Sequence, residues 1–303
     1  MSIIHSLSEN QKDIKPLFDS YLSAITATNK DVALSIKEQK RNIFFNGFFI
    51  HSNNVPKAII NYGISNWDTK FFGMKCSWID LIDISNDCVV IRDLLELYSE
   101  FETKNNIEFS VAKINRNQVK VIDELKIIGY KIIEETTTYY YSSLNQPIAN
   151  DDRNIRVAEK SDLENLKRIV IQTDNTRFHN DKIFSKKKVD EFRKTWIINL
   201  FSDHEKKVYV YTIHDNVVGF VTVESNNKGN KEGVLKLIAV DNKYRGKGIG
   251  TSLVKTALKW FNNNCIISFI TTQTSNYPSN KMYQKSGCKV AYKLVTLHKN
   301  NCF

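Results

Sequence analysis

The chain has 303 residues, 42% of them hydrophobic and 25% charged, with a formal net charge of +10. That length allows two modest domains, and the positive balance suits anionic ligands. Lys and Arg are spread along the whole chain, so no block of like charge makes a nucleic-acid-binding tail, and no apolar run is long enough to span a bilayer.

Taken in order, residues 14–36 place apolar side chains at roughly helical spacing (Leu17, Tyr21, Ile25, then Val32, Leu34, Ile36), which predicts one or two amphipathic helices. Residues 42–50 and 57–62 read as strands around the turn residues 52–54. After Gly73, residues 75–82 predict a strand, 87–105 a helix, 107–114 a strand and 118–128 a helix closed by Gly129. Residues 130–141, rich in Thr and Tyr, predict another strand. The polar, Pro-containing stretch 142–154 is the expected linker.

Beyond it, 155–157 predict a short strand. Ser161 and Glu164 fit a capping box for a helix over 162–173, and a second helix is expected over 186–202. Strands 207–213 and 217–225 should form a hairpin around His214-Asp215-Asn216. Residues 234–240 are an apolar strand, 251–262 a helix, 266–271 a strand, 278–286 a short helix and 289–298 the last strand. The expected organisation is an N-terminal extension, 1–65, an N-terminal α/β domain, 66–150, and a second domain, 151–303. The strand–helix–Gly–strand order of 107–141 is echoed in 266–298, through common ancestry or through the frequency of such units.

Five cysteines (Cys76, Cys88, Cys265, Cys288, Cys302) show no metal-type spacing, and their odd number favours reduced thiols. The first residues carry no basic region followed by an apolar core, so no signal peptide is expected. The expectation is a soluble, cytoplasmic protein without membrane insertion, nucleic-acid partner or metal.

The most informative stretch is 235–253, LKLIAVDNKYRGKGIGTSL. An apolar strand runs into a glycine-rich turn and a helix start, which offers unpaired N–H groups and a positive dipole end to an anion. A diphosphate is expected on Arg245, Gly246, Lys247, Gly248, Ile249, Gly250 and Thr251. A dinucleotide-binding loop would need an acid on the following strand, which reads CIISFITTQ, and no Walker sequence is present.

The run YRGKGIG after this strand resembles the acetyl-CoA-binding motif of the GNAT N-acyltransferase superfamily, in which Arg or Gln and two residues precede Gly-x-Gly. The resemblance implies a mixed, mostly antiparallel α/β sheet flanked by helices for 151–303. The domain before it would be a smaller α/β unit, GNAT-like without the CoA loop or unrelated. It implies acetyl-CoA as cosubstrate, with backbone groups of Ile238 and Val240 holding the pantetheine and acetyl carbonyl where the strand splays near Ala239. Asn276 would meet the CoA arm, and Tyr283 would be the general acid. Each has a plain alternative: Asn276 as a helix cap, Tyr283 as a buried aromatic, Lys247 as a solvated charge.

WDTKFFG (67–73), TRFHND (176–181) with TW (195–196), and TTQTSN with MYQKSGCKV (271–290) resemble N-acetyltransferases of dTDP-4-amino-4,6-dideoxyhexoses. The implied acceptor is the amine of a nucleotide-linked amino-deoxy sugar used in surface polysaccharide synthesis, transferred to directly in a ternary complex. Arg177, Phe178, Glu224 and Trp67 are the candidate acceptor-binding residues, and His179 is read as a surface residue. Where some protein-acetylating members carry a Glu base, this chain has Val234, so no dedicated carboxylate base is expected. A protein or peptide Nα-acetyltransferase, a non-catalytic acetyl-CoA-binding module and a homodimer stay open.

Overall fold

A computed structural model describes residues 3–6, 47–52, 55–83, 87–142, 152–172, 176–203, 205–226 and 232–302. The helices expected over 14–36 and most of the linker lie outside the described residues. Contacts divide the described chain into two units, one of 3–136 with 292–302 and one of 137–291. The expected boundaries, 65 and 150, differ from this division at both points. Among the described residues no helix is long and apolar enough to cross a membrane.

The first unit carries β1 (Ile3–Ser6), β2 (Gly47–Ser52), β3 (Val55–Ile64), β4 (Cys76–Asp83) and β5 (Phe109–Asn115) in one sheet. Its strands are antiparallel neighbours except β4 and β5, which run parallel. The stretch expected to be an extension thus supplies strands paired to the rest of the unit. Helix α1 (Asn66–Phe72) covers the WDTKFF residues and stops at Gly73, which takes the left-handed conformation. Helix α2 (Cys88–Lys104) starts on an Asp87 cap that accepts from the Val89 N–H at 2.9 Å. Its inner face, Ile91, Leu94, Leu95 and Tyr98, packs with α3 (Val119–Ile127) on Ile60, Ile79, Ala112 and Ile114.

The second unit orders its strands β7-β8-β9-β10-β11, from β7 (Ile155–Val157), β8 (Lys206–Ile213), β9 (Asn216–Asn226), β10 (Glu232–Val240) and β11 (Ile267–Gln273). Positive φ at His214 and Asp215 gives the β8–β9 hairpin its tight turn. One sheet face is covered by α4 (Leu163–Val170) and α5 (Lys186–Ser202), through Leu166, Ile169, Ile197 and Leu200 on Val208, Val210 and Phe220. The other is covered by α6 (Ile249–Asn264), whose Leu253, Val254, Ala257, Leu258 and Phe261 recur at helical spacing. Helix α7 (Tyr277–Lys285) follows β11. The expected Ser161–Glu164 capping box is replaced by one two residues earlier, between Glu159 and Asp162. Asp162 also takes two bonds from Arg156, at 2.7 and 2.9 Å, which fixes it in the earlier box.

The two longest strands, β6 (Lys131–Ser142) and β12 (Lys289–Asn300), each pass from one unit to the other. Beyond Thr136, β6 lies beside β11 and completes the second sheet. Leu294–Asn300 of β12 pair antiparallel with β5 and complete the first. Both strands run from exposed to buried. The end of β12 is keyed by a buried polar chain: Lys299 Nζ lies 2.8 Å from Glu102, which Ser110 also contacts, and Ser77 links Ser110 (3.0 Å) to Tyr98 (2.6 Å). This part-buried pair lies where Lys299 is in register with Ser110 on β5.

Candidate acyl-donor site

Strands β10 and β11 are parallel neighbours only from Glu232↔Ile267 to Leu235↔Ile270. A bulge between Leu235 and Leu237 then bends β10, which stays on β9 as far as Val240. The splay expected near Ala239 therefore begins at Lys236. Asp241 N–H donates to the Val218 carbonyl at 2.8 Å. Alternate residues of an antiparallel ladder face the same neighbour, so Ile238 and Val240 turn their N–H and C=O groups away from β9, into the gap. The Ala239 side chain goes to the α4–α5 core.

The gap opens into a cavity of about 890 Å³. Ile238, Ala239, Val240, Tyr244, Arg245, Gly246, Gly248, Ile249, Gly250 and Thr251 line one side, with Gln172 bonded to their turn, and Ser275, Asn276, Pro278, Ser279 and Met282 the other. Of the residues expected to hold the acyl donor, only Lys247 is outside the lining; its Nζ lies 5.1 Å from the Tyr244 ring centroid. Gly246 and Gly248 have φ of 77° and 84°, and an added Cβ at either would meet nothing within 4 Å. Glycine is needed there for the backbone conformation, not for space. At Gly250 an added Cβ would lie 3.2 Å from Met282 Sδ, which would have to shift by a few tenths of an ångström. The N–H groups of Gly248, Ile249, Gly250 and Thr251 make no hydrogen bond among the described residues and sit at the positive end of α6. These donors match a diphosphate in number and charge.

The turn is anchored from behind by side chains of Asp241, Arg168, Gln172 and Arg245. Asp241 takes hydrogen bonds from Arg168, from the Lys243 N–H at 3.0 Å and from Gln172 at 3.4 Å. Gln172 accepts from the Asn242 N–H at 2.8 Å. Arg245 folds back, donating to the Val240 carbonyl at 3.1 Å and the Gln172 carbonyl at 3.3 Å. Asp241 directly after the strand is a recognisable turn cap. Arg168 and Gln172 carry no such signal, because they reach the turn from α4 and the turn that follows it, about 70 residues earlier.

Asn276 caps α7, accepting from the Ser279 N–H at 3.4 Å, and also lines the cavity. Tyr283 is not in the lining. It is 2% exposed, its ring centroid lies 5.7 Å from that of Tyr139, and burial, Cys288 and Tyr139 push its phenol well above the ordinary tyrosine range. Met282 beside it does face the cavity.

The candidate acceptor residues are not gathered at this cavity. Phe178 is buried in a cluster with Phe184 and Phe192, each at 5.0 Å, and Arg177 lies over its ring at 4.3 Å. Glu224 is ion-paired to Lys236 at 2.8 Å and Lys206 at 3.6 Å on the strand surface. Trp67 belongs to the first unit, stacked on Phe71. His179, expected at the surface, is instead nearly buried, bonded to Thr176 at 2.8 Å with Asp190 at 3.6 Å.

The first unit repeats the splay: β4 and β5 are paired from Cys76↔Phe109 to Ile79↔Ala112 and then part. Asp83 falls where Val240 does once the bulged residue is left out. There, however, the backbone N–H of Asp83 is taken by Gln118 Oε1 at 3.1 Å. Gln118 precedes α3 as Asn276 precedes α7. The stretch from β4 to α2, Ile84-Ser85-Asn86-Asp87, contains no glycine.

Burial raises the Asp241 carboxyl, but the bonds from Arg168, the Lys243 N–H and Gln172 outweigh it and hold it below the usual range. The Arg156 bonds do the same for Asp162. A carboxylate lowered in the native state stabilises above its unfolded pKa, about 4, and that contribution is lost as pH falls through the lowered native value. Thermal stability of the second unit should therefore begin to drop below about pH 4. Asp241→Asn should flatten the drop, as read by melts between pH 2.5 and 6. An unchanged slope would remove Asp241 as the anchor.

Residues 170–288 match the family described as Acetyltransferase (GNAT) family. A 104-residue stretch is 32% identical to "Streptothricin acetyltransferase" of Escherichia coli, covering 34% of this chain and 59% of that protein's length. The fold is similar to that of a GCN5-related N-acetyltransferase from Sphaerobacter thermophilus, with a TM-score of 0.68 at 12% identity over 99% of this chain and 95% of that one. It is also similar to a tandem GNAT protein from the clavulanic acid biosynthesis pathway, with a TM-score of 0.56 at 10% identity over 99% and 98% of the two chains. The chain thus has the α/β GNAT fold, and residues 170–288 are similar to the Acetyltransferase (GNAT) family.

Proposed function

We propose that the protein is an acetyl-CoA-dependent N-acetyltransferase acting on the amine of a small molecule. The observation that carries this is the cavity where β10 parts from β11, with open backbone donors along one strand and a glycine turn at its end. Acetyl-CoA supplies a thioester whose C–S bond breaks as the amine nitrogen bonds the acetyl carbon, leaving a thiolate to be protonated.

The N–H groups of Gly248, Ile249, Gly250 and Thr251 hold the diphosphate. The Ile238 N–H and C=O and the Val240 N–H orient the arm and the acetyl group, and a fixed N–H at a developing oxyanion lowers a barrier by about 3 kcal/mol. Asn276 contacts the arm while capping α7. Tyr283, beside the cavity-lining Met282 but outside the lining itself, is the candidate proton donor to the thiolate, because a phenol is protonated at neutral pH. The amine must be neutral to attack, and it loses its proton to water, with no dedicated carboxylate base, as Val234 stands where some relatives carry Glu.

Two acceptors follow from what the chain resembles. The WDTKFFG and TTQTSN stretches favour a nucleotide-linked 4-amino-4,6-dideoxyhexose destined for surface polysaccharide. The match to a streptothricin acetyltransferase favours streptothricin, over a shared stretch limited to a third of this chain. Purified protein should release CoA from acetyl-CoA with one of these two acceptors; release with peptides alone would sink the proposal. Tyr283→Phe should lower turnover by about 100-fold with little change in CoA affinity. Wild-type turnover would remove the acid role.

A further inference from the structure

The part of β6 that lies in the second unit grips the far wall of the cavity. Thr138 is hydrogen-bonded through its hydroxyl to Thr271 at 2.9 Å, and Thr137 to Thr274 at 2.9 Å. Tyr139, buried to 2% exposure, donates its hydroxyl proton to Asn280 Oδ1 at 2.8 Å and accepts from Gln284 at 3.4 Å. Asn280 is the hub of this wall. Its Nδ2 lies 3.0 Å from the Gln273 carbonyl, 3.2 Å from Thr274 and 2.8 Å from Asn276. Two amide protons serve three carbonyls, so the end of β11, the turn and the start of α7 are fixed by one side chain.

That turn presents Ser275, Asn276 and Ser279 to the cavity. Tyr139 in turn fixes Asn280, because an amide whose oxygen is held by a buried hydroxyl is set in one rotamer and one flip state. We infer that Tyr139, on a strand that begins in the first unit, is a positioning residue for the acyl-CoA cleft, acting through Asn280 on the Ser275–Ser279 turn. The N-terminal half of the chain therefore contributes to the cleft without lining it. A cut at the expected linker would remove this clamp from the acetyltransferase unit.

The inference rests on the proposed function for the identity of the ligand, and its test separates the two. The full chain, Tyr139→Phe and Asn280→Asp would be titrated with CoA by calorimetry, and amide hydrogen exchange followed over 274–280. Tyr139→Phe removes the hydroxyl and with it the bonds to Asn280 and from Gln284, and loss of the shorter one alone predicts about a 5- to 10-fold weaker CoA dissociation constant. Exchange over 274–280 should quicken while the α6 amides keep their wild-type rates. Asn280→Asp keeps the acceptor for Tyr139 but loses the amide donations, and should weaken CoA further. Wild-type CoA affinity in Tyr139→Phe, or unchanged exchange over 274–280, would overturn the inference. Failure of the wild-type chain to bind CoA would instead contradict the proposed function, and the exchange rates would still decide whether Tyr139 holds the turn.

Discussion

When two parallel strands part, the N–H and C=O groups on the facing edges lose their partners, and a buried backbone donor must find another one. The separation of β10 from β11 after Leu235 and Ile270 creates this requirement in the second unit. Everything around the cavity answers to it. The Val240 carbonyl is satisfied by Arg245, whereas the Val240 N–H and both polar groups of Ile238 face the gap. An amide-bearing chain inserted there would restore the missing pairing, which is why the cleft suits an extended acyl-CoA arm.

The first unit meets the same requirement differently. Its β4 and β5 part after an equally short paired segment, but Gln118 reaches back to the Asp83 N–H. One glutamine thus supplies internally the acceptor that the proposed acyl donor would supply in the other unit. Asp83 is itself buried, and a carboxylate at that point opposes an anionic ligand. The two sheets part alike, and they differ in what meets the parted edge: Gln118 in the first unit and the cavity in the second.

The strand–turn–helix of 235–253 was legible because an apolar run, closely spaced glycines and an amphipathic helix each have a strong local cause. The cap role of Asn276 was legible for the same reason, since a polar residue before Tyr277-Pro278 reads as a cap. What could not be read depended on contacts between distant segments. Arg168 and Gln172 look like ordinary helix-surface residues until Asp241 is placed beside them. Phe178 carries no mark that separates a ligand-facing ring from one buried against Phe184 and Phe192. Strands β6 and β12 each follow a helix and a glycine, as a last strand would, and nothing local says which sheet their second halves join. The capping box shifted because two candidate pairs with the same spacing overlap, and the Arg156–Asp162 pair decides between them.

The central claim is that the second unit's splay is open to CoA and the first unit's is filled by Gln118. Calorimetric titration of the full chain with CoA tests it most directly. The account predicts one CoA bound per chain. No binding, or two equivalents bound per chain, would contradict it.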